Sequence, residues 1–226
     1  MNRTAIILFV FVFQITCSFG LTTGNKSNWN PELNTAGRAH YLSGIEKEVI
    51  LEMNKLRSNP SKYADEYIVP LKDRYKKNHL FYPGDKPLLT KEGVKALNEC
   101  IRDLKKQQSL PLLFPDEGLS KAAGDHVHDQ SQSGKTGHMG RDRSRVKERI
   151  ERYGTWKVRI AENIAYGGIN ARQIVIYLLI DDGIQSRGHR KNFLHPDYKR
   201  VGVAVGRHPH YQSMCVIDFA GAFVMH

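Results

Sequence analysis

Near the C-terminus two stretches alternate between large apolar residues and small or polar ones. In RVGVAVG, Val201, Val203 and Val205 alternate with Gly202, Ala204 and Gly206. In MCVIDFA, Cys215, Ile217 and Phe219 alternate with Met214, Val216 and Asp218. A period of two is a strand signal, and RHPHYQS between them reads as a hairpin turn. Upstream, helical stripes alternate with irregular stretches: 61–88 is mixed, and 135–168 reads as a long polar connection holding a basic amphipathic turn or two. Ile45, Val49, Met53 and Leu56 recur at helical spacing up to Pro60, with Ser43 placed to cap the start. Val94, Leu97, Ile101 and Leu104 mark a second helix over about 91–108, with Cys100 bordering the stripe as a small core residue. Leu119, Ala122, Ala123 and His126 share a face of a third. A fourth covers about 171–181, and SRGHRKNFL reads as a short helix capped by Ser186 and closed before Pro196. Helices first and an antiparallel pair last argue for a layered α+β domain rather than a series of βαβ units.

A chain of 226 residues, 40% hydrophobic and 25% charged, suits one globular domain. Its formal net charge of +11 favours an anionic partner, without choosing among nucleic acid, acidic polysaccharide and a lipid surface. At the N-terminus, Arg3, an apolar run from Ala5 to Phe13 and the small residues Ser18 and Gly20 form the layout of a secretory signal peptide over 1–20. The run is short for a membrane span, and no later segment has the length of one. Secretion to the extracellular space is therefore expected. Residues 21–42 read as a flexible leader and 43–226 as the folded domain. Asn25, in NKS, fits the glycosylation pattern. Cleavage after Gly20 leaves Cys100 and Cys215, which an oxidising compartment permits to form a disulfide.

Several chemistries are excluded. GKT at 134–136 lacks the glycine a phosphate loop needs, since Asp129 stands there, and HExxH and GxSxG are absent. The run RDRSRVKERIER mixes both signs without interleaved aromatics, so it reads as a solvated face and not as a specific nucleic-acid site. His138 in TGHMG, Glu162 in AENIAYG and His189 in RGHRKN lie where elements begin or end. Two neutral imidazoles with carboxylates are a reasonable ligand set for zinc or another divalent ion.

In combination, LSKAAGDHVHDQSQSGKTGH, AENIAYG and SRGHRKNFLHPDYKRVGVAVG resemble the CAP superfamily: the cysteine-rich secretory, antigen 5 and pathogenesis-related proteins, with their SCP-like domain. The likeness covers about 45–226, with an atypical stretch at about 65–108. It implies a three-layer α-β-α sandwich with a central antiparallel sheet. It also implies a cleft of two histidines and two acids. These correspond to His138, Glu162 and His189, with Asp182 as the second acid and Asp181 as its alternative. His138 and His189 are the implied metal ligands. Gly202, Ala204 and Gly206 would let a helix pack closely on the sheet, and His195 reads as a turn residue. The cysteine-rich tail of vertebrate members is absent. The implied function is binding of a divalent metal, a lipid or sterol, or an anionic extracellular surface. The rival is a metal-dependent, peptidase-like hydrolase with zinc on the histidines and Glu162 as general base. Two histidines without a firm third ligand favour binding over catalysis.

Overall fold

A computed structural model describes residues 29–168 and 170–226. The signal segment, Asn25 and residues 21–28 lie outside the described residues. The first elements are helix α1 (Gly44–Ser58), the single turn α2 (Pro60–Tyr63), a π-helical turn Ala64–Ile68 and a 3-10 turn Val69–Arg74. Short strands β1 (Tyr75–Lys76), β2 (His79–Leu80) and β3 (Leu88–Leu89) form a small antiparallel sheet. Then come α3 (Val94–Lys106), β4 (Phe114–Pro115), α4 (Glu117–Ser133), α5 (Val146–Glu151) and β5 (Gly154–Tyr166). The chain ends with α6 (Ala171–Ile180), α7 (Gly188–Phe193), β6 (Arg200–His208) and β7 (Gln212–Met225).

The expected hairpin is the centre of the main sheet, whose order is β4-β6-β7-β5. Val201 faces Phe219 and Val203 faces Ile217 across β6 and β7. β5 runs antiparallel to the other side of β7, with Glu162 opposite Asp218. Only the two-residue β4 is parallel to its neighbour. Alternation splits this sheet into two faces. Val201, Val203, Cys215, Ile217 and Phe219 pack into one core with Val49, Met53, Leu97 and Val175 from α1, α3 and α6. On the other face, Ala204, Met214, Val216 and Ala220 meet Leu119, Ala122, Ala123 and Ile150 from α4 and α5. The result is the three-layer α-β-α sandwich of an α+β fold.

Local chemistry accounts for most boundaries. Ser43 starts α1 through a reciprocal cap in which Glu46 Oε2 accepts from the Ser43 N–H at 2.7 Å. α3 starts at Val94 and not at Lys91, because Gly93 takes φ +61°. Val94 is consequently exposed, while Leu97, Ile101 and Leu104 are buried.

Four expectations need correction. Residues 29–42 are not a flexible leader: Leu33, Ala36 and Leu42 are buried, and Trp29 stacks on Tyr67. The polar connection after α4 contains the 13-residue strand β5, which periodicity alone did not reveal. Ser186 does not cap α7; Arg187 precedes that helix with φ +53°. Cys100 and Cys215 form no disulfide. Both are free thiols in the apolar core, and burial pushes the Cys100 thiol up to about 12.

The small residues of β6 do admit a helix. A Cβ on Gly202 would lie 2.1 Å from the Leu119 carbonyl carbon and 2.3 Å from the Ser120 nitrogen, both in the backbone of α4. Gly124, in the same helix, has open space around its Cβ position. Gly202→Ala is expected to cost about 3 kcal/mol, the upper end for overpacking. Gly124→Ala should stabilise by roughly 0.5–1 kcal/mol. Urea denaturation measures both, and a small loss at Gly202 would refute this close packing.

Candidate functional site

His138 follows α4 across a constrained turn. α4 closes at Gly134 with φ +65°, and Gly137 takes φ +100°. The peptide groups of Gly137 are held from both sides. Its N–H donates to Tyr166 Oη at 2.7 Å, and its carbonyl accepts from Gln130 Nε2 at 2.6 Å and His126 Nε2 at 2.8 Å. The Tyr166 hydroxyl donates on to Gln130 Oε1 at 2.8 Å. His126 Nε2 also lies 2.9 Å from Gln130 Nε2, and burial holds this imidazole below its ordinary range.

Next in sequence, His138 places Nδ1 2.8 Å from Glu162 Oε1. Glu162 Oε2 accepts from Arg149 Nη2 at 2.6 Å, and Arg149 Nη1 donates to the Ser144 carbonyl at 2.9 Å. The Arg149 and Glu162 side chains are buried, whereas that of His138 is 57% exposed. A buried ion pair thus fixes the inner nitrogen of an outward-facing imidazole, leaving Nε2 for solvent or ligand.

Across the strands, Asp218 is fully buried and neither carboxyl oxygen has a partner among the described residues. It faces Glu162 in register. Burial and the nearby Glu162 charge raise its pKa well above the carboxylate range, against the pull of Arg149.

The second histidine is built differently. α6 ends at Ile180, and Asp181 turns into the left-handed region with φ +56°. Its carboxylate swings to the start of α7. Oδ2 accepts from the His189 N–H at 2.9 Å, and Oδ1 lies 2.7 Å from His189 Nδ1. Asp181 therefore both caps α7 and orients His189. Asp182, the preferred acid in the sequence, instead accepts from the N–H groups of Lys91 and Glu92, at 2.6 and 2.8 Å. The helical face projected through Val175 and Leu178 fails at position 182 because the helix has already ended.

The two histidine–acid pairs reach β5 from its two faces. Glu162 and Asn163 are successive, so their side chains project oppositely. Glu162 meets His138, and Asn163 Nδ2 donates to the His189 carbonyl at 3.1 Å. A cavity of about 180 Å³ is lined by His189, Asp181, Asp182, Tyr166, Tyr177 and Ile164, with His138 and Glu162 outside its wall. Among the described residues no three His, Cys, Asp or Glu side chains are placed to hold one metal ion. A resident ion enclosed by the protein alone does not fit this donor set. His195 is a turn residue, accepting from the Asp197 N–H through Nδ1 at 3.2 Å.

Sequence reading missed Arg149, Asp218, Tyr166 and Gln130. Arg149 lay in the run read as solvated, yet with Ile150 it forms the buried face of α5. Asp218 carried a signal: it is an acid inside an apolar strand.

A model of the cysteine-rich secretory protein (CAP) family matches residues 52–219. The uncharacterized membrane protein YlbC of Bacillus subtilis (strain 168) is 26% identical over 119 residues, 53% of this chain. That stretch is 33% of the relative, so the chain spans about a third of its length. An extracellular protein containing a SCP domain from Bacillus anthracis str. Ames is 24% identical, with a TM-score of 0.41, over 49% of this chain and 34% of that one. An outer surface protein from Borrelia burgdorferi is 18% identical, with a TM-score of 0.41, over 54% of this chain and 86% of that one. No described helix is long and apolar enough to cross a membrane.

Asp218 makes stability depend on pH. Its raised folded-state pKa means that its contribution is fully present below the unfolded value, about 3.9. It is lost as pH rises toward the folded value. Asp218→Asn removes the charge to be suppressed and keeps the shape. The variant is expected to match wild type near pH 4 and to be the more stable at pH 7. Parallel denaturation curves at the two pH values check this, and a wild type that gains on the variant as pH rises would show Asp218 to be ionised.

Proposed function

Since this chain belongs to the cysteine-rich secretory protein (CAP) family, we propose that it is an exported binding protein that engages its ligand through the Nε2 atoms of His138 and His189. One observation carries this reading: each histidine has its inner nitrogen fixed by a buried acid and, among the described residues, its outer nitrogen uncommitted. Carboxylate–histidine pairs of this kind orient imidazoles for metal ions and raise their basicity. Each pair offers one ligand to a divalent ion such as zinc, and the remaining ligands come from water or from the bound molecule. Export is supported by the basic residue and apolar run at the N-terminus, followed by small residues at Ser18 and Gly20. The charge of +11 supports an anionic extracellular surface as partner. A lipid or sterol ligand rests on the family resemblance alone.

Binding is favoured over hydrolysis because, among the described residues, no third protein ligand joins the two histidines, whereas a catalytic zinc usually has three.

Calorimetric titration with zinc tests the reading. Wild type is expected to bind, and the double variant His138→Ala, His189→Ala to lose binding with the fold intact. Asp181→Asn should weaken zinc about 10–100-fold, the usual effect of removing a ligand's hydrogen-bond partner, while Asp182→Asn leaves it unchanged. Because imidazole ligates only when neutral, affinity should fall on acidification. Equal zinc affinity in the double variant would defeat the assignment. Metal-dependent peptide or ester turnover that drops roughly 10²–10⁴-fold in Glu162→Gln would promote the hydrolase instead.

A further inference from the structure

A cavity of about 640 Å³ opens between α1 and α6 under the irregular stretch carrying Tyr67, Leu71 and Tyr82. It exceeds the 180 Å³ beside His189 and falls in the range of small-molecule sites, roughly 300–1,000 Å³. Much of its roof belongs to the part of the chain atypical for the family.

Its wall has an ordered charge pattern. Glu48, Glu52 and Lys55 stand at i, i+4 and i+7 on α1, so they form one stripe beside Leu51. Glu52 is buried and fully engaged. Oε1 accepts from Lys55 Nζ at 2.6 Å and Arg172 Nη2 at 3.1 Å. Oε2 accepts from Arg172 Nε at 3.0 Å and from the Tyr63 hydroxyl at 3.1 Å. Burial opposes its charge, yet Arg172 and Lys55 hold it below the ordinary carboxylate range. The Arg172 guanidinium also lies over the Tyr67 ring, 4.0 Å from its centroid.

Two groups remain unused. Among the described residues Arg172 Nη1 has no acceptor, and the Glu48 carboxylate has no donor. Glu48 sits one helical turn from Glu52, the residue that Arg172 grips, and Glu48 and Arg172 both line the cavity. Leu51, Leu71 and Ile176 supply apolar surface beside them. An anion alone meets repulsion from Glu48, and a cation alone meets repulsion from Arg172. A molecule bearing both charges at short spacing satisfies the wall.

We infer that this cavity binds a zwitterionic amino acid or short peptide with an apolar side chain, its carboxylate on Arg172 Nη1 and its ammonium on Glu48. The side chain lies against Leu51, Leu71 and Ile176. This site is separate from the histidine pairs, and its test does not depend on them.

Calorimetric titration of the folded protein with L-leucine, L-leucyl-L-leucine, N-acetyl-L-leucine, L-leucinamide and laurate decides the matter. At least one zwitterion should saturate the protein, with N-acetyl-L-leucine and L-leucinamide each at least about tenfold weaker, a 1.4 kcal/mol difference. Glu48→Gln, an exposed change that should fold normally, is expected to abolish the preference over N-acetyl-L-leucine and keep the preference over L-leucinamide. The double variant His138→Ala, His189→Ala should bind as wild type does. No saturation by either zwitterion up to about 10 mM, well above the 1 mM that corresponds to −4.1 kcal/mol, overturns the inference. So does laurate or L-leucinamide binding as tightly as the zwitterion, or discrimination unchanged in Glu48→Gln.

Discussion

Arg57 is a buried cation that bonds to backbone carbonyls, and the arrangement of the layer holding His189 depends on it. It sits in the last turn of α1 with no exposed surface. Nε donates to the Pro111 carbonyl at 2.8 Å, Nη1 to those of Phe193 and His195 at 2.7 and 3.0 Å, and Nη2 to that of Tyr198 at 2.9 Å. Burial lowers its pKa to about 10, so it remains charged at neutral pH. The bonds to Phe193 and Tyr198 are buried, where a carbonyl left without a donor is costly. One side chain therefore joins the end of α1, the loop before β4 and the link between α7 and β6. This is why a histidine-bearing loop can run straight into a core strand. Arg190, within α7, repeats the device. It donates to the last carbonyls of α6, at Leu179 and Ile180, and reaches Glu99 and Asp103 on α3. A cation suits the negative end of a helix, and here it also fixes the angle at which α7 presents His189.

The elements legible in the sequence were those whose side chains follow a single period. Val201 to Val205 and Cys215 to Phe219 are buried on both faces, with alternate residues entering two different cores, and α1 and α4 carry helical stripes. β5 was hidden for a physical reason. Its register slips between Lys157 and Ile160, where Val158 and Arg159 together oppose Gly221. The bulge interrupts the alternation, and Glu162 and Asn163 put polar groups where a core strand usually has apolar ones. The site was half legible. His138, Glu162 and His189 stand at element boundaries that motifs mark. Asp181 could not be preferred over Asp182 by extending a helix, because a left-handed residue ends the period one position early. Arg149 and Asp218 required knowledge of which face is inside.

The two histidine pairs reach the same result by opposite electrostatic routes. Glu162 is compensated in the interior by Arg149, whose guanidinium lies 2.6 Å from its carboxylate. Removing one partner of such a pair typically costs about 3–5 kcal/mol. Asp181 has a backbone N–H and the imidazole itself, with the His189 side chain 23% exposed. Asp218 lies beside the first pair but has neither device, so it can stay buried only by holding its proton. A second ionised carboxyl beside Glu162 would leave Arg149 shared between two negative charges. The proton on Asp218 thus preserves the geometry that aims His138.

β5 is the edge of its sheet along the whole of β7, and its two halves solve different problems. An unpaired edge invites association with another strand. In the first half the bulge twists the edge, Val158 takes φ +75° with 71% exposure, and Lys157 and Arg159 flank it with charge. A β-branched residue in that region is strained. The close fit of Val158 Cβ over Gly221, where an added Cβ would meet it at 2.7 Å, shows that the partner strand accommodates the bulge by having no side chain there. In the second half the edge is occupied instead of blocked. Asn163 ties it to α7, and Asn192 Nδ2 donates to Asn163 Oδ1 at 2.8 Å. Tyr166 ties its end to Gly137 in the turn before His138. The same strand that must be kept from pairing therefore serves as the rigid support on which both histidines are set.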